Sequence, residues 1–187
     1  MVSLFCYENR ALPALLQSLA DQPTLLLLTP GPAQQQVQAA PPGVRLASLP
    51  WLSQDDYDRL LWACDLNFVR GEDSLVRAIW AGRPFLWQIY PQHDGAQAAK
   101  LAAFLTQASQ TADPPLAEAI RRAAWRWNGL PTAEDGDAWD LLNSPSSMFA
   151  WGELCAAWGT ELRALPDLAT QLMAFADAKS SLPQAKI

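Results

Sequence analysis

The sequence predicts an α/β fold: a Rossmann-like parallel sheet with helices on both faces, followed by C-terminal helices. Three features predict it. Short apolar runs and helix-period segments alternate five times within about the first 108 residues, as βα units joined by right-handed crossovers do. The runs lack an alternating polar face, which is the mark of strands covered on both sides. Beyond that point the pattern is helical throughout.

The first run, Val2 to Cys6, precedes a helix over Ala11 to Ala20, where Leu12, Leu15, Leu16 and Leu19 share one face. Thr24 to Leu28 is an apolar run stopped by Thr29-Pro30-Gly31-Pro32, a strand buried on both faces. Ala33 to Ala40 reads as a short helix and Val44 to Leu49 as the next strand. Ser53 then stands as an N-cap, with Asp55 and Asp56 in the first turn of a helix running to about Cys64. Leu66 to Val69, a helix over about Ser74 to Ala81, and Phe85 to Ile89 complete the alternation, and a helix covers roughly Gly95 to Ala108. Four helical segments remain: Pro115 to Trp127, Ala138 to Leu142, Pro145 to Leu165 and Asp167 to Lys179, with a frayed tail from Ser180. Residues 1–110 are thus the Rossmann-like core and 111–187 a helical extension packed on it, a single domain overall.

Composition narrows the function classes. Half of the 187 residues are hydrophobic and 17% are charged, so the chain has enough apolar surface for a core. A net charge of -6 with no Lys/Arg run provides no footprint for nucleic acid or an anionic membrane, and neither is an expected partner. Cys6, Cys64 and Cys155 are too far apart for a CxxC pair, and His93 is the one histidine, so no metal site is expected and the thiols read as reduced and buried. No stretch is long and apolar enough to span a bilayer, and the beginning lacks a basic and then apolar leader, so the expectation is a soluble, cytoplasmic protein. Most of the nine tryptophans are expected to fill the core or partly buried helix faces.

The chemistry concentrates in Arg70-Gly71-Glu72-Asp73-Ser74, where a strand hands over to a helix. Helix N–H groups and the positive dipole end there face a ligand at the strand's carboxyl end, and Gly71 lets the backbone come close. Arg70 offers a bidentate contact to phosphate and Ser74 a hydroxyl. Glu72 and Asp73 suit sugar hydroxyls, or hold Arg70. Phosphate, hydroxyl and acid partners together fit a nucleotide-sugar better than a bare phosphate. The bland alternative stands beside it, in which Asp73 caps the helix and Arg70 pairs with Glu72 on the surface. Trp51, Gln54 and Tyr57 begin the preceding helix on the same sheet edge, Phe5 and Tyr7 end the first strand there, and Tyr90 with Gln92 and His93 ends the last. These aromatics and the amide are available to stack on and read a base. His93 has the pKa of a general base but sits in a Pro-Gln-His-Asp-Gly turn, and the pair Asp55/Asp56 is explained by dipole compensation.

Four segments carry a resemblance: Ser3-Leu4-Phe5-Cys6-Tyr7-Glu8; Leu49-Pro50-Trp51-Leu52-Ser53-Gln54-Asp55-Asp56-Tyr57-Asp58; Cys64-Asp65-Leu66-Asn67-Phe68-Val69-Arg70-Gly71-Glu72-Asp73-Ser74; and Trp80-Ala81-Gly82-Arg83-Pro84 through Ile89-Tyr90-Pro91-Gln92. Together they resemble the elongation factor P arginine rhamnosyltransferases, from about Val2 to the last helices. The resemblance implies a GT-B architecture of which this chain is the C-terminal, donor-binding half. It implies an inverting glycosyltransferase that moves L-rhamnose from dTDP-β-L-rhamnose to an arginine of elongation factor P; no cofactor is expected, and a metal is not implied because the helix dipole and Arg70 can take the role of a divalent cation. Phe5, Tyr7, Trp51, Tyr57 and Tyr90 resemble a cradle for thymine and deoxyribose, and Gln54 a polar reader of the nucleotide. Arg70, Asp73 and Ser74 resemble the diphosphate and sugar contacts, and Glu72 the acid needed for activity. Trp51 and Tyr57 stand where that family often has other aromatics.

In the family, the proposed general base and most of the surface for elongation factor P belong to an N-terminal domain, and this chain has nothing before Met1 that matches it. The chain is therefore expected to bind donor weakly and to transfer nothing by itself. Two other readings remain open: the donor domain of a GT-B enzyme using a different nucleotide sugar, and a non-catalytic α/β module whose acidic helical half binds a protein.

Overall fold

A computed structural model describes residues 1–91, 96–132 and 138–180. Five strands form one sheet: β1 (Val2–Leu4), β2 (Thr24–Leu28), β3 (Val44–Ser48), β4 (Leu66–Arg70) and β5 (Phe85–Gln88). Their order is β3-β2-β1-β4-β5 and every neighbouring pair is parallel, as expected. The connecting helices are α1 (Leu12–Leu19), α2 (Pro32–Gln36), α3 (Gln54–Ala63) and α4 (Asp73–Ala81). Past β5 come α5 (Ala96–Ala108), α6 (Pro114–Trp127), a 3₁₀ turn at Asp140–Asn143, α7 (Pro145–Ala164) and α8 (Leu168–Ser180).

This order creates the site. From β1 the chain moves outward through β2 to β3, then returns past β1 to lay down β4 and β5 on the other side. The connections leaving β1 and β4 diverge, which opens a crevice at the carboxyl ends of these two neighbours. Register places Leu4 beside Phe68, so Phe5 and Tyr7 leave β1 level with the turn that follows Arg70.

The core runs along the centre of the sheet. Leu4, Leu26, Leu28, Phe68, Val69 and Leu86 are fully buried, with Leu15 of α1 and Leu61 of α3 packed among them. Asn67 is buried in central β4, where its side-chain oxygen accepts from the Ser3 hydroxyl at 2.5 Å and its amide donates to the Leu61 carbonyl at 3.0 Å. Both ends of a polar side chain are thus satisfied in the core.

Several expectations differ in detail. β2 was expected to be buried on both faces, but only Leu26 and Leu28 are buried while Leu25 and Leu27 keep partial exposure. The neighbouring β3 is the sheet edge, where cover is incomplete. The helix expected over Ala33 to Ala40 stops at Gln36, and Val37 already leaves helical geometry ahead of Pro41. The segment expected as a helix from Ala138 to Leu142 forms a 3₁₀ turn over Asp140–Asn143. Ser53 does cap α3, accepting from the Asp56 N–H at 3.1 Å. Gln92, His93, Gly95, where the fifth helix was expected to start, and the tail beyond Ser180 lie outside the described residues.

Six of the nine tryptophans are buried or half-buried, and Trp51, Trp62 and Trp80 are exposed. All three cysteines are buried free thiols. Among the described residues no helix is long and apolar enough to cross a membrane, and no group of three His, Cys, Asp or Glu converges as metal ligands would.

Candidate functional site

A cavity of about 450 Å³ occupies the crevice between the ends of β1 and β4. That is a size at which small-molecule sites are found. Its walls include Phe5, Tyr7, Trp51, Gln54, Tyr57, Arg70, Glu72, Asp73 and Ser74. Nine of the ten site residues expected from sequence therefore meet in one cavity. The tenth, Tyr90, lines an adjoining groove with Glu72, Leu75, Trp87, Ile89, Lys100 and Phe104. It meets the cavity wall through an edge contact with Tyr7, centroids 5.6 Å apart.

Arg70 ends β4, and its guanidinium lies between two rings. Its central carbon is 4.3 Å from the centre of Phe5 and 4.6 Å from that of Tyr7, and Nη1 donates to the Cys6 carbonyl at 3.2 Å. Among the described residues no carboxylate pairs with it, so the surface Arg70–Glu72 pair does not form. Rings and a carbonyl fix the group while leaving its charge uncompensated. Tyr57 and Phe5 make an edge contact with centroids 5.7 Å apart. Burial, the largest influence, pushes the Tyr57 hydroxyl above its ordinary pKa, against smaller opposing pulls from Ser74 and Arg70. That hydroxyl is buried without a hydrogen bond of good geometry, although Ser74 lies close by.

Gly71 makes the turn with φ of +66°, in the left-handed region where a side chain is strained. Its N–H donates to the Gln88 carbonyl at 3.2 Å and its carbonyl accepts from Trp87 Nε1 at 2.7 Å. The neighbour that comes closest is Tyr7, whose hydroxyl would sit 3.2 Å from a Cβ built at Gly71. Gln88 fixes the Tyr7 loop in turn, accepting from the Tyr7 N–H at 2.9 Å and donating to the Glu8 carbonyl at 3.2 Å.

At the head of α4 no side chain caps the helix, so the alternative in which Asp73 is a cap is not what forms. The helix end lies at the cavity with no side-chain cap on its N–H groups, and the one acid of its first turn is Asp73. Ser74 is buried, and its hydroxyl donates to the Arg70 carbonyl and accepts from the Arg70 N–H at 3.1 Å. That hydroxyl braces the turn, which leaves the Ser74 N–H as the group offered to a ligand. Glu72 is exposed between cavity and groove, and its carboxylate has no hydrogen-bond or ion-pair partner among the described residues. Trp51 is 83% exposed at the rim and Gln54 opens α3 beside it.

Sequence reasoning missed Arg77, Thr29, Pro30 and Leu52 as cavity walls and took Ser53 only as a cap. Arg77 donates through Nη1 to both Asp58 oxygens at 2.9 Å and through Nε to Asp73 Oδ2 at 3.0 Å. The signal for it was its place four residues after Asp73, on the same helix face.

Comparison of the chain with known proteins points to one family. Residues 1–177 match the model of the family described as Elongation-Factor P (EF-P) rhamnosyltransferase EarP. The chain is 42% identical over 193 residues to a protein-arginine rhamnosyltransferase of Pseudomonas aeruginosa, covering 94% of this chain and 50% of that protein. A protein of the same name from Pseudomonas putida is 40% identical over 198 residues, covering 94% and 49%. Among solved structures, one described as the structural basis for EarP-mediated arginine glycosylation of translation elongation factor EF-P superposes with a TM-score of 0.76. It is 36% identical and covers 97% of this chain and 60% of that one. The chain thus spans about half the length of the curated relatives it matches. On these matches, the chain belongs to the EarP family of EF-P rhamnosyltransferases.

Proposed function

We propose that this chain is the donor-binding half of a GT-B protein-arginine rhamnosyltransferase, that its cavity takes dTDP-β-L-rhamnose, and that EF-P is the acceptor of the whole enzyme. One observation carries the reading. An unpaired guanidinium and a helix N-terminus without a side-chain cap meet in a cavity that aromatic rings and the Gln54 amide also line. Cation and helix end suit a diphosphate, and rings with an amide suit a base.

Phe5, Tyr7, Trp51 and Tyr57 hold thymine and deoxyribose, with Tyr90 supporting Tyr7 from behind, and Gln54 reads the base. Arg70 and the α4 N-terminus take the phosphates, and Asp73 the sugar. In the transfer step an arginine nitrogen attacks the anomeric carbon, the bond to dTDP breaks with its electron pair leaving on dTDP, and the nitrogen gives up its proton to a general base that the other half of the whole enzyme supplies. Arg70 and the helix end stabilise the phosphate charge that develops on departing dTDP. Glu72, free between cavity and groove, is the acid that the transfer requires. Residues 1–110 form the nucleotide-sugar core and 111–187 its helical support, in a protein working in the cytoplasm.

Thermal unfolding with dTDP or UDP added tests the reading, since a ligand of the native state raises the midpoint with its occupancy. A larger rise with dTDP supports it. Equal rises would transfer the site to another nucleotide sugar, and no rise with either would leave the cavity without a nucleotide role.

A further inference from the structure

Arg77 sits where α3 and α4 meet, and it holds two carboxylates at once. Its Nη1 contacts both oxygens of Asp58 on α3, and its Nε contacts Asp73 at the first position of α4. Exposure separates the three. The Arg77 and Asp58 side chains are 21% and 29% exposed, while that of Asp73 is 79% exposed and reaches into the cavity. Asp58 does not line that cavity. The arrangement is a half-buried anchor, a half-buried cation and a solvent-facing carboxylate at the end of the relay.

An exposed aspartate on a helix's first turn ordinarily samples several rotamers, and ordering it on a ligand costs side-chain entropy. Here one Asp73 oxygen is already taken by Nε at 3.0 Å, which fixes the carboxylate and leaves its other oxygen for a ligand hydroxyl. Two further carboxylate oxygens on Asp58 hold Arg77, so it is not drawn away to the phosphates. Arg70 therefore remains the cavity's uncompensated cation among the described residues, with Arg77 assigned to another task.

We infer that Arg77 is a positioning residue which, anchored by Asp58, orients the Asp73 carboxylate toward the sugar of the bound donor. The inference rests on the proposed placement of the sugar at Asp73. It makes Arg77 selective: its loss weakens the grip on the sugar and leaves the grip on the nucleotide.

Calorimetric titration of this chain with dTDP and with dTDP-β-L-rhamnose tests it, using Arg77→Met, Asp73→Asn, the double variant and Asp58→Asn. Arg77→Met is expected to lower affinity for the sugar nucleotide about tenfold and that for dTDP less than about twofold. The double variant is expected to bind no worse than Asp73→Asn alone, because both changes remove one interaction. Asp58→Asn, outside the cavity, is expected to give a smaller loss of the same sugar-selective kind. Equal losses for both probes, or additive losses in the double variant, would overturn the inference and make Arg77 a direct phosphate ligand or a brace between helices. If Asp73→Asn itself leaves the sugar nucleotide unaffected, the placement of the sugar fails and the inference with it. If Arg77→Met does not fold, Asp58→Asn decides by the same criterion.

Discussion

Arg70 is held by groups that do not cancel its charge: two ring faces at 4.3 and 4.6 Å and a carbonyl at 3.2 Å. A guanidinium fixed that way loses little rotamer freedom when an anion arrives and keeps its full Coulomb pull. Replacing Arg70 by Lys should retain the charge but lose the stacked fork, weakening dTDP binding measurably in a titration while leaving unfolding midpoints near the parent's. Gly71 makes a different prediction. Alanine there would keep the left-handed φ at a cost of about 1–2 kcal/mol and press on the Tyr7 hydroxyl, so denaturant unfolding should show that loss together with weaker dTDP binding. Residue types were legible in the sequence: the cation, the acids, the glycine and the aromatics on one sheet edge all signalled themselves. Their partners were not, because whether Arg70 meets Glu72 or Phe5 depends on how β1 and β4 lie side by side. Ser74 shows the same limit, since its hydroxyl turns back onto the Arg70 backbone.

At the scale of elements, strands were the most legible parts. Thr24–Leu28 forms over the expected residues, because an apolar run between turn residues allows little else. Helix docking was not legible. Asn128, at the end of α6, accepts from the Ile89 N–H at 2.9 Å and donates to the Trp87 and Ala124 carbonyls at 2.8 Å, pinning α6 to the end of β5. Nothing in its neighbourhood marks it. Asn128→Ala should cost about 1–3 kcal/mol in denaturant unfolding, the penalty for stranding partly buried backbone groups. Helices α4 and α7 approach closely at Gly159, where a Cβ would stand 2.9 Å from the Ile79 carbonyl. α8 is the opposite case: every residue from Arg163 through Lys179 is exposed, including Leu168, Leu172 and Phe175. Deleting the chain from residue 167 should leave the unfolding free energy within about 0.5 kcal/mol of the parent value, since no described core contact is lost.

For the whole molecule, sheet order determines where function sits. The reversal between β1 and β4 brings residues from positions 5 to 77 into one cavity, and the parallel pattern that predicted the sheet also predicted that edge. The core has a pH signature of its own. Burial pushes the Cys6 thiol up to about 12, Cys64 to about 11 and Cys155 to about 12, from an ordinary 9.0. The folded state keeps these protons where the unfolded chain releases them, so their stabilisation is intact below pH 9.0 and is lost as pH rises toward 11 to 12. Urea midpoints should therefore fall between about pH 8 and about pH 10.5, and thiol reagents should label the native chain slowly until it unfolds. The claim on which the functional account turns is that this cavity holds a nucleoside diphosphate through Arg70. Calorimetric titration of the chain with dTDP measures it directly: the account predicts one exothermic site, weakened about ten- to a hundredfold in Arg70→Ala, in line with the loss of charge-assisted hydrogen bonds. No heat with the parent chain, or the same affinity in Arg70→Ala, would contradict it.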